Sequence, residues 1–303
     1  MPNFTRVSTA MADKAWTVAV LSGKGGTGKT LVSVNLAATA NGAVYLDCDV
    51  EEPNGHLFFK PEVSGEETVT VKIPEIDEER CTGCRKCVEF CAFHALAFVG
   101  NKPVLFDEVC HSCGGCALLC PATAVGEREK AVGAVSSGIS DNVTVHTGRL
   151  SIGEASSIPV IKALLKKISN KREGPIFIDC PPGSSCAVME SIRDADFCIL
   201  VAEPTTFGAH NLAMVYELVA LFQKPCGAVL NKCLAGENPS EAFCLQHGIP
   251  ILGRIPFDAE LGMLNSEGKI AVRESKRFQT LFASLLERIG KEVRHEAAFD
   301  SQR

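Results

Sequence analysis

Apolar residues along this chain come in short blocks separated by longer stretches of mixed character. The blocks VAVLSG (18–23), VYLDCD (44–49), IFIDCPPG (176–183), CILVAEPT (198–205), CGAVLNK (226–232) and IPILGRIP (249–256) are apolar almost throughout. A strand with one solvated face alternates apolar and polar positions, so continuous runs predict strands covered on both faces. Between the blocks the pattern becomes amphipathic at helical spacing, most clearly over 207–223 and 274–293. Strand–helix alternation of this kind predicts an α/β fold on a doubly wound, mostly parallel sheet.

The pattern breaks between about residues 72 and 128, where CTGCRKCVEFCAFHALAF (81–98) and CHSCGGCALLCPATAVGE (110–127) match in cysteine spacing and apolar tail. Each half of this repeat is too small to bury a core alone, so the two are expected to pack together. Charged flanks, IPEIDEER and VGEREK, suit surface junctions. The expected organisation is one α/β domain from 15–72 and 129–303, interrupted by an inserted small α+β domain at 73–128. Residues 1–14 read as a disordered lead-in, with Met11 an alternative start.

Composition narrows the setting. The formal net charge of −6 gives no general attraction to nucleic acid or anionic membrane. No apolar run approaches the roughly 20 residues of a membrane helix, and the N-terminus lacks the apolar segment of a signal peptide. Fifteen cysteines in such a chain argue for a reducing cytoplasm and against a disulfide framework. Eight lie in the two spaced motifs; most of the others fall in apolar runs, where a thiol packs as a small hydrophobe.

Residues 22–30 read SGKGGTGKT, directly after the first apolar block. Gly25, Gly26 and Gly28 let backbone wrap close to phosphates, and free N–H groups at the start of the next helix form an anion site. Lys29 is expected to reach the β/γ-phosphates and Thr30 to bind Mg²⁺, with Thr27 part of the same ATP/ADP-binding loop. The whole stretch GKGGTGKT resembles the deviant Walker A motif of the MinD/ParA superfamily of P-loop NTPases. That resemblance implies that Lys24 is a signature lysine reaching the partner's nucleotide, and that ATP drives homodimerisation. It implies a switch I in LDCDVEEPN, with Asp49 ordering the attacking water, Asp47 in the outer shell of the metal, and Glu51, Glu52 and Asn54 as helpers. IFIDCPPG resembles the Walker B strand and switch II, implying Asp179 at the Mg²⁺ site and a Gly183 N–H toward the γ-phosphate. Asn231-Lys232 resembles the family's base-recognition element, with the Asn231 amide pairing to adenine.

The spacing C-x2-C-x2-C-x3-C resembles the bacterial ferredoxin run, in which the fourth cysteine serves the other cluster. It implies one [4Fe–4S] cluster on Cys81, Cys84, Cys87 and Cys120, and a second on Cys110, Cys113, Cys116 and Cys91. Zinc sites favour paired short hooks rather than runs of four cysteines. Ala92 departs from the proline that often follows the run; Pro121 keeps it. His94 and His111 are expected to pack rather than ligate. Cys186, seven residues after Asp179, has an offset similar to a cluster-ligating cysteine of nitrogenase iron protein. An intersubunit cluster there would need further thiolates, with Cys180 a candidate. The C-P-x-C pair of Mrp-type cluster carriers is absent near the C-terminus.

Together these features resemble a MinD-superfamily ATPase carrying an inserted two-cluster ferredoxin. The function implied is ATP hydrolysis in a dimer, coupled to electron transfer or metallocluster assembly for a redox partner or client metalloenzyme. The alternatives are a redox-sensing positioning switch, and a ferredoxin-type carrier with structural nucleotide. No nucleic-acid or membrane partner is expected.

Overall fold

The computed structural model describes residues 16–168 and 174–300, with no side-chain description for 297–300. The lead-in expected over 1–14 lies outside the described residues.

The elements in order are β1 (Thr17–Leu21), α1 (Lys29–Thr39), β2 (Val44–Asp47), α2 (Gly55–Phe59), β3 (Glu62–Ile76), α3 (Lys86–Phe90), β4 (Leu96–Val99), β5 (Lys102–Leu105), α4 (Gly115–Leu118), β6 (Val125–Ser140), β7 (Val143–Leu150) and α5 (Ile158–Leu165). They continue with β8 (Ile176–Asp179), α6 (Cys186–Ile192), β9 (Phe197–Ala202), α7 (Thr206–Leu221), β10 (Cys226–Cys233), α8 (Pro239–His247), β11 (Ile251–Pro256), α9 (Ala259–Ser266), α10 (Ala271–Glu274) and α11 (Lys276–Asp300).

Nine of the described strands form one sheet in the order β11-β10-β9-β1-β8-β2-β7-β6-β3. The strands from β11 to β7 are parallel, and β6 and β3 are added antiparallel at one edge. Alternate residues of each central strand feed opposite faces. Val18 and Val20 join the core under α1 and α11, while Ala19 and Leu21 join the core under α5, α6 and α7. Both faces are apolar because helices cover both, which is the reason the strand blocks lack alternation.

β3 and β6 pair along their whole length, but β6 pairs with β7 only from Gly133 onward. The remainder, 70–76 against 125–132, projects as a two-stranded ribbon. The boundaries expected at 72/73 and 128/129 therefore need correction, since Lys72 pairs with Glu129 and Ile73 with Arg128 inside continuous strands. The solvated faces of the ribbon carry charged residues, which in sequence look like surface junctions.

At its tip the ribbon carries a small module with internal two-fold symmetry. Cys81, Gly83, Arg85, Cys91 and His94 correspond at constant spacing to Cys110, Ser112, Gly114, Cys120 and Thr123. Gly83, Arg85, His94, Ser112, Gly114 and Thr123 all have positive φ, so the two halves share one backbone path. The pairing is reciprocal: Asp77 N–H donates to Ala124 O (2.7 Å) and Phe106 N–H to Ala95 O (2.8 Å). β4 and β5 close through Gly100 and Asn101, both at positive φ, as a two-residue hairpin requires. Cys87, Leu96, Cys116 and Val125 form the module's own small core.

α3 and α4 meet where Gly115 faces Phe90; a Cβ on Gly115 would lie 2.1 Å from the Phe90 ring. Gly115→Val should therefore displace Phe90 at an overpacking cost of about 1–3 kcal/mol. Hydrogen exchange should show faster opening of residues 86–119 and an unchanged α/β domain; uniform loosening of both would contradict this account.

Candidate functional site

Seven parallel strands end on one side of the sheet, and the loops after β1, β2 and β8 converge there on a cleft of about 670 Å³. Its lining includes Lys24, Gly25, Gly26, Gly28, Lys29, Thr30, Asp49, Glu52 and Asn54. Gly26 and Gly28 have φ of 79° and 95°. Gly28 precedes α1, whose first amides lack intrahelical partners and point at the loop. A Cβ on Gly28 would meet Asn231 Nδ2 at 2.1 Å, so close packing as well as φ demands glycine. Thr27 is buried, and its Oγ1 has no hydrogen-bond partner.

Lys29 is buried and binds Asp179 Oδ1 at 2.5 Å, with Asp49 Oδ2 at 4.0 Å. The other Asp179 oxygen accepts the Tyr45 hydroxyl at 2.7 Å, and Tyr45 is fully buried. Asp47, also buried, accepts the Gly55 N–H on Oδ2 (2.8 Å), while its Oδ1 has no partner. Three carboxylates thus face one ammonium. Burial disfavours the Lys29 charge, yet Asp179, Asp49 and Asp47 outweigh it and the lysine pKa moves up. Burial, reinforced by the Asp179 charge, pushes the Asp47 carboxyl up against the pull of the Gly55 N–H and Lys29. Burial, with Asp179, Glu52 and Glu51 nearby, raises Asp49 to about 6 despite Lys29. Excess negative charge and an orphaned buried carboxylate oxygen fit a divalent cation, which Asp47, Asp179 and Thr30 would hold.

Other expected residues take different places. Lys24 lies at the rim, paired with Glu203 of its own chain at 2.6 Å, and its Nζ is 5.2 Å from the centroid of the Phe207 ring. Lys232 pairs with the same glutamate and donates to Gly26 O (2.8 Å). Asn231 is 4% exposed, and its Nδ2 donates to Thr27 O at 2.7 Å. It does not line the cleft. In this structure Asn231 braces the loop through one N–H of its side-chain amide. Gly183 N–H is likewise engaged, by Ser22 O at 2.9 Å.

Tyr45 and Glu203 were not singled out as site residues in the sequence. A tyrosine inside an otherwise aliphatic strand block is a signal, since a buried phenol normally finds a partner. Glu203 ends the block beside β1, where ligands of open α/β sheets collect.

In the tip module, one cavity is lined by Cys81, Cys84, Cys87 and Cys120. A separate cavity of about 210 Å³ is lined by Cys91, Cys110, Cys113 and Cys116. Each contains three cysteines of one run and the fourth of the other. Ala95 N–H donates to Cys91 Sγ and Ala124 N–H to Cys120 Sγ, both at 3.3 Å. Among the described residues no three metal-ligating side chains converge as one ion would require. Each thiolate of a [4Fe–4S] cluster takes its own iron, so four cysteines lining one cavity are the donor set that group needs. His111 stacks on Phe93 at 3.8 Å between ring centroids, and His94 sits in the turn after Cys91. Cys186 is exposed at the start of α6, whereas Cys180 is buried in the core beneath the sheet. Among the described residues no helix is long and apolar enough to cross a membrane.

Comparisons with known proteins bear on the α/β domain and its nucleotide cleft. The sequence model of the CobQ/CobB/MinD/ParA nucleotide binding domain matches residues 18–272. An uncharacterised protein of Methanocaldococcus jannaschii is 30% identical over 244 residues, covering 79% of this chain and 86% of its own. An iron-sulfur cluster carrier protein of Methanococcus maripaludis is 24% identical over 309 residues, covering 93% and 88% respectively. Among solved structures, the septum site-determining protein MinD of Pyrococcus horikoshii, complexed with Mg-ADP, superposes with a TM-score of 0.58. It is 18% identical and covers 93% of this chain and 98% of its own, a likeness of fold.

The raised carboxyls set a pH dependence. A carboxyl whose pKa rises on folding holds its proton more tightly in the folded chain. Its contribution is favourable at low pH and is lost as pH climbs from about 4 in the unfolded chain through the folded value. For Asp49 that window ends at about 6. Without nucleotide or Mg²⁺, Asp49→Asn should gain melting temperature relative to wild type as pH rises through this window. A difference independent of pH would contradict the assignment.

Proposed function

Because the chain belongs to the CobQ/CobB/MinD/ParA nucleotide-binding family, we propose that it is a dimeric ATPase whose nucleotide state is coupled to two [4Fe–4S] clusters. The observation that carries the reading is the sorting of the eight motif cysteines into two fours, each four around its own cavity.

In this reading the loop amides and Lys29 bind the phosphates of ATP. Asp47, Asp179 and Thr30 hold the accompanying Mg²⁺. Asp49, beside Lys29 and partly exposed, orients water for attack and takes up its proton. Lys24 must leave Glu203 to reach a partner's nucleotide, so dimerisation breaks one ion pair and forms another. The clusters, when bound, supply one-electron chemistry. The chain's part is to hold them through thiolates, donate N–H groups to Cys91 and Cys120, and connect their module to the loop after Asp49.

Electron transfer suits a complete ferredoxin with permanent ligands. Metallocluster assembly is the second reading. It is favoured by the exposed Cys186 near switch II and by the likeness to a protein named as a cluster carrier.

Anaerobically purified chain should contain about eight iron atoms per polypeptide, from two four-iron clusters. Cys186→Ser should keep them all under the electron-transfer reading and lose only an excess above eight under the assembly reading. Zinc in place of iron would remove both readings. Lys24→Ala should bind ATP but lose dimerisation and turnover; normal turnover would remove the signature-lysine role.

A further inference from the structure

The two halves of the tip module are alike in backbone but not in their attachment to the α/β domain. Lys130, on the projecting part of β6, bridges the difference. Its Nζ donates to Asp107 O and to Glu154 Oε2, both at 2.9 Å. Both charged side chains are largely buried. Asp107 O also accepts the Cys110 N–H at 3.4 Å, so Lys130 is one carbonyl from the backbone of a motif cysteine. Arg128 adds an ion pair to the Asp107 carboxylate.

The first half has no such tie among the described residues. The position equivalent to Lys130 is Asn101, in the β4–β5 turn. Glu78, equivalent to Asp107, pairs with Lys102 inside the module. The lining of the cavities repeats the asymmetry. Cys110, His111 and Ser112 border a cleft of about 440 Å³ together with Glu154, Ser156 and Lys162 of the α/β domain.

Glu154 leads back to the nucleotide cleft through short steps. Its N–H donates to Ser151 O (3.3 Å), and Ser151 N–H donates to Val132 O (2.9 Å). Leu150, the preceding residue, donates to Val50 O at 2.8 Å. Val50 follows Asp49, which lines the cleft beside Lys29. These contacts connect the loop at Asp49 to the base of the Glu154 turn and, through Lys130, to the Asp107–Cys110 segment.

We propose that the Glu154–Lys130–Asp107 bridge couples nucleotide state to the second cysteine site alone, the one formed by Cys91, Cys110, Cys113 and Cys116. Lys130 is a positioning residue in this scheme and holds neither nucleotide nor cluster. The inference rests on the functional reading above and specifies which of its two sites responds.

The test uses single-site variants of the full chain, purified anaerobically, at a fixed solution potential. Electron paramagnetic resonance reads the reduced-to-oxidised ratio with ADP and with a non-hydrolysable ATP analogue. In Cys84→Ser, which spares the second site, the ratio should change about tenfold between nucleotides, within the usual range of coupling between sites. In Cys113→Ser, which spares the first, it should not change. Lys130→Met in the otherwise native chain should abolish the response at unchanged iron content and leave ATP affinity equal in the two redox states, and Lys130→Arg should restore both. Hydrogen exchange gives a readout independent of the clusters: nucleotide-dependent protection at 107–113 in wild type, lost in Lys130→Met. A response carried by the first site, a response surviving Lys130→Met, or none at either site would overturn the proposal. In the last case, full iron content and ATP turnover would leave the functional reading standing. A chain without iron would end that reading, and the exchange measurement would still decide the bridge.

Discussion

The buried Asp179 carboxylate, shared between Lys29 and Tyr45, is the interaction on which the rest of the site depends. One oxygen takes the loop lysine and the other the phenol of β2. Removing one partner of a buried ion pair typically costs about 3–5 kcal/mol, because the other charge is left without compensation. The same pairing leaves the site short of positive charge, with Asp47 and Asp49 also present. Folding tolerates this by holding the two carboxyl pKa values high. A divalent cation would relieve it. The excess negative charge is thus concentrated on Asp47, Asp49 and Asp179 around one lysine.

Tyr45 extends that interaction outward. A Cβ on Gly55 would lie 2.3 Å from its ring, and Phe59 packs on it at 4.9 Å between centroids. Gly55 N–H in turn holds Asp47. Helix α2 is therefore seated on Asp47 and Tyr45 at one end and leads into β3 at the other. β3 continues without interruption to the tip module. The motif cysteines and the phosphate loop belong to one hydrogen-bonded structure, joined by the β3–β6 ribbon and again by Lys130.

Much of this was legible in the sequence. The apolar blocks locate the parallel strands because both faces are covered. The spacing of the glycines and Lys29 locates the loop, and the cysteine spacing groups the thiols into the same fours that line the two cavities. Three things were not legible. Strand β3 is exposed at every residue over 62–68, so no burial pattern marks Glu62–Ile76 as a strand. Asn231 has the residue type to read a base, but only the fold shows one of its amide N–H groups on Thr27 O. Lys24 in sequence carries no sign of Glu203, which lies far along the chain and meets it only because β9 pairs with β1.

The central claim is that the nucleotide cleft and the cysteine module form one energetically coupled unit. Coupling between two sites is reciprocal, so reduction must change nucleotide affinity by the same free energy with which nucleotide changes reduction. The most direct measurement is the dissociation constant of a non-hydrolysable ATP analogue for the fully oxidised and fully reduced chain, by anaerobic equilibrium dialysis. The account predicts constants that differ by about tenfold, which corresponds to roughly 1.4 kcal/mol. Equal constants in the two redox states would contradict it.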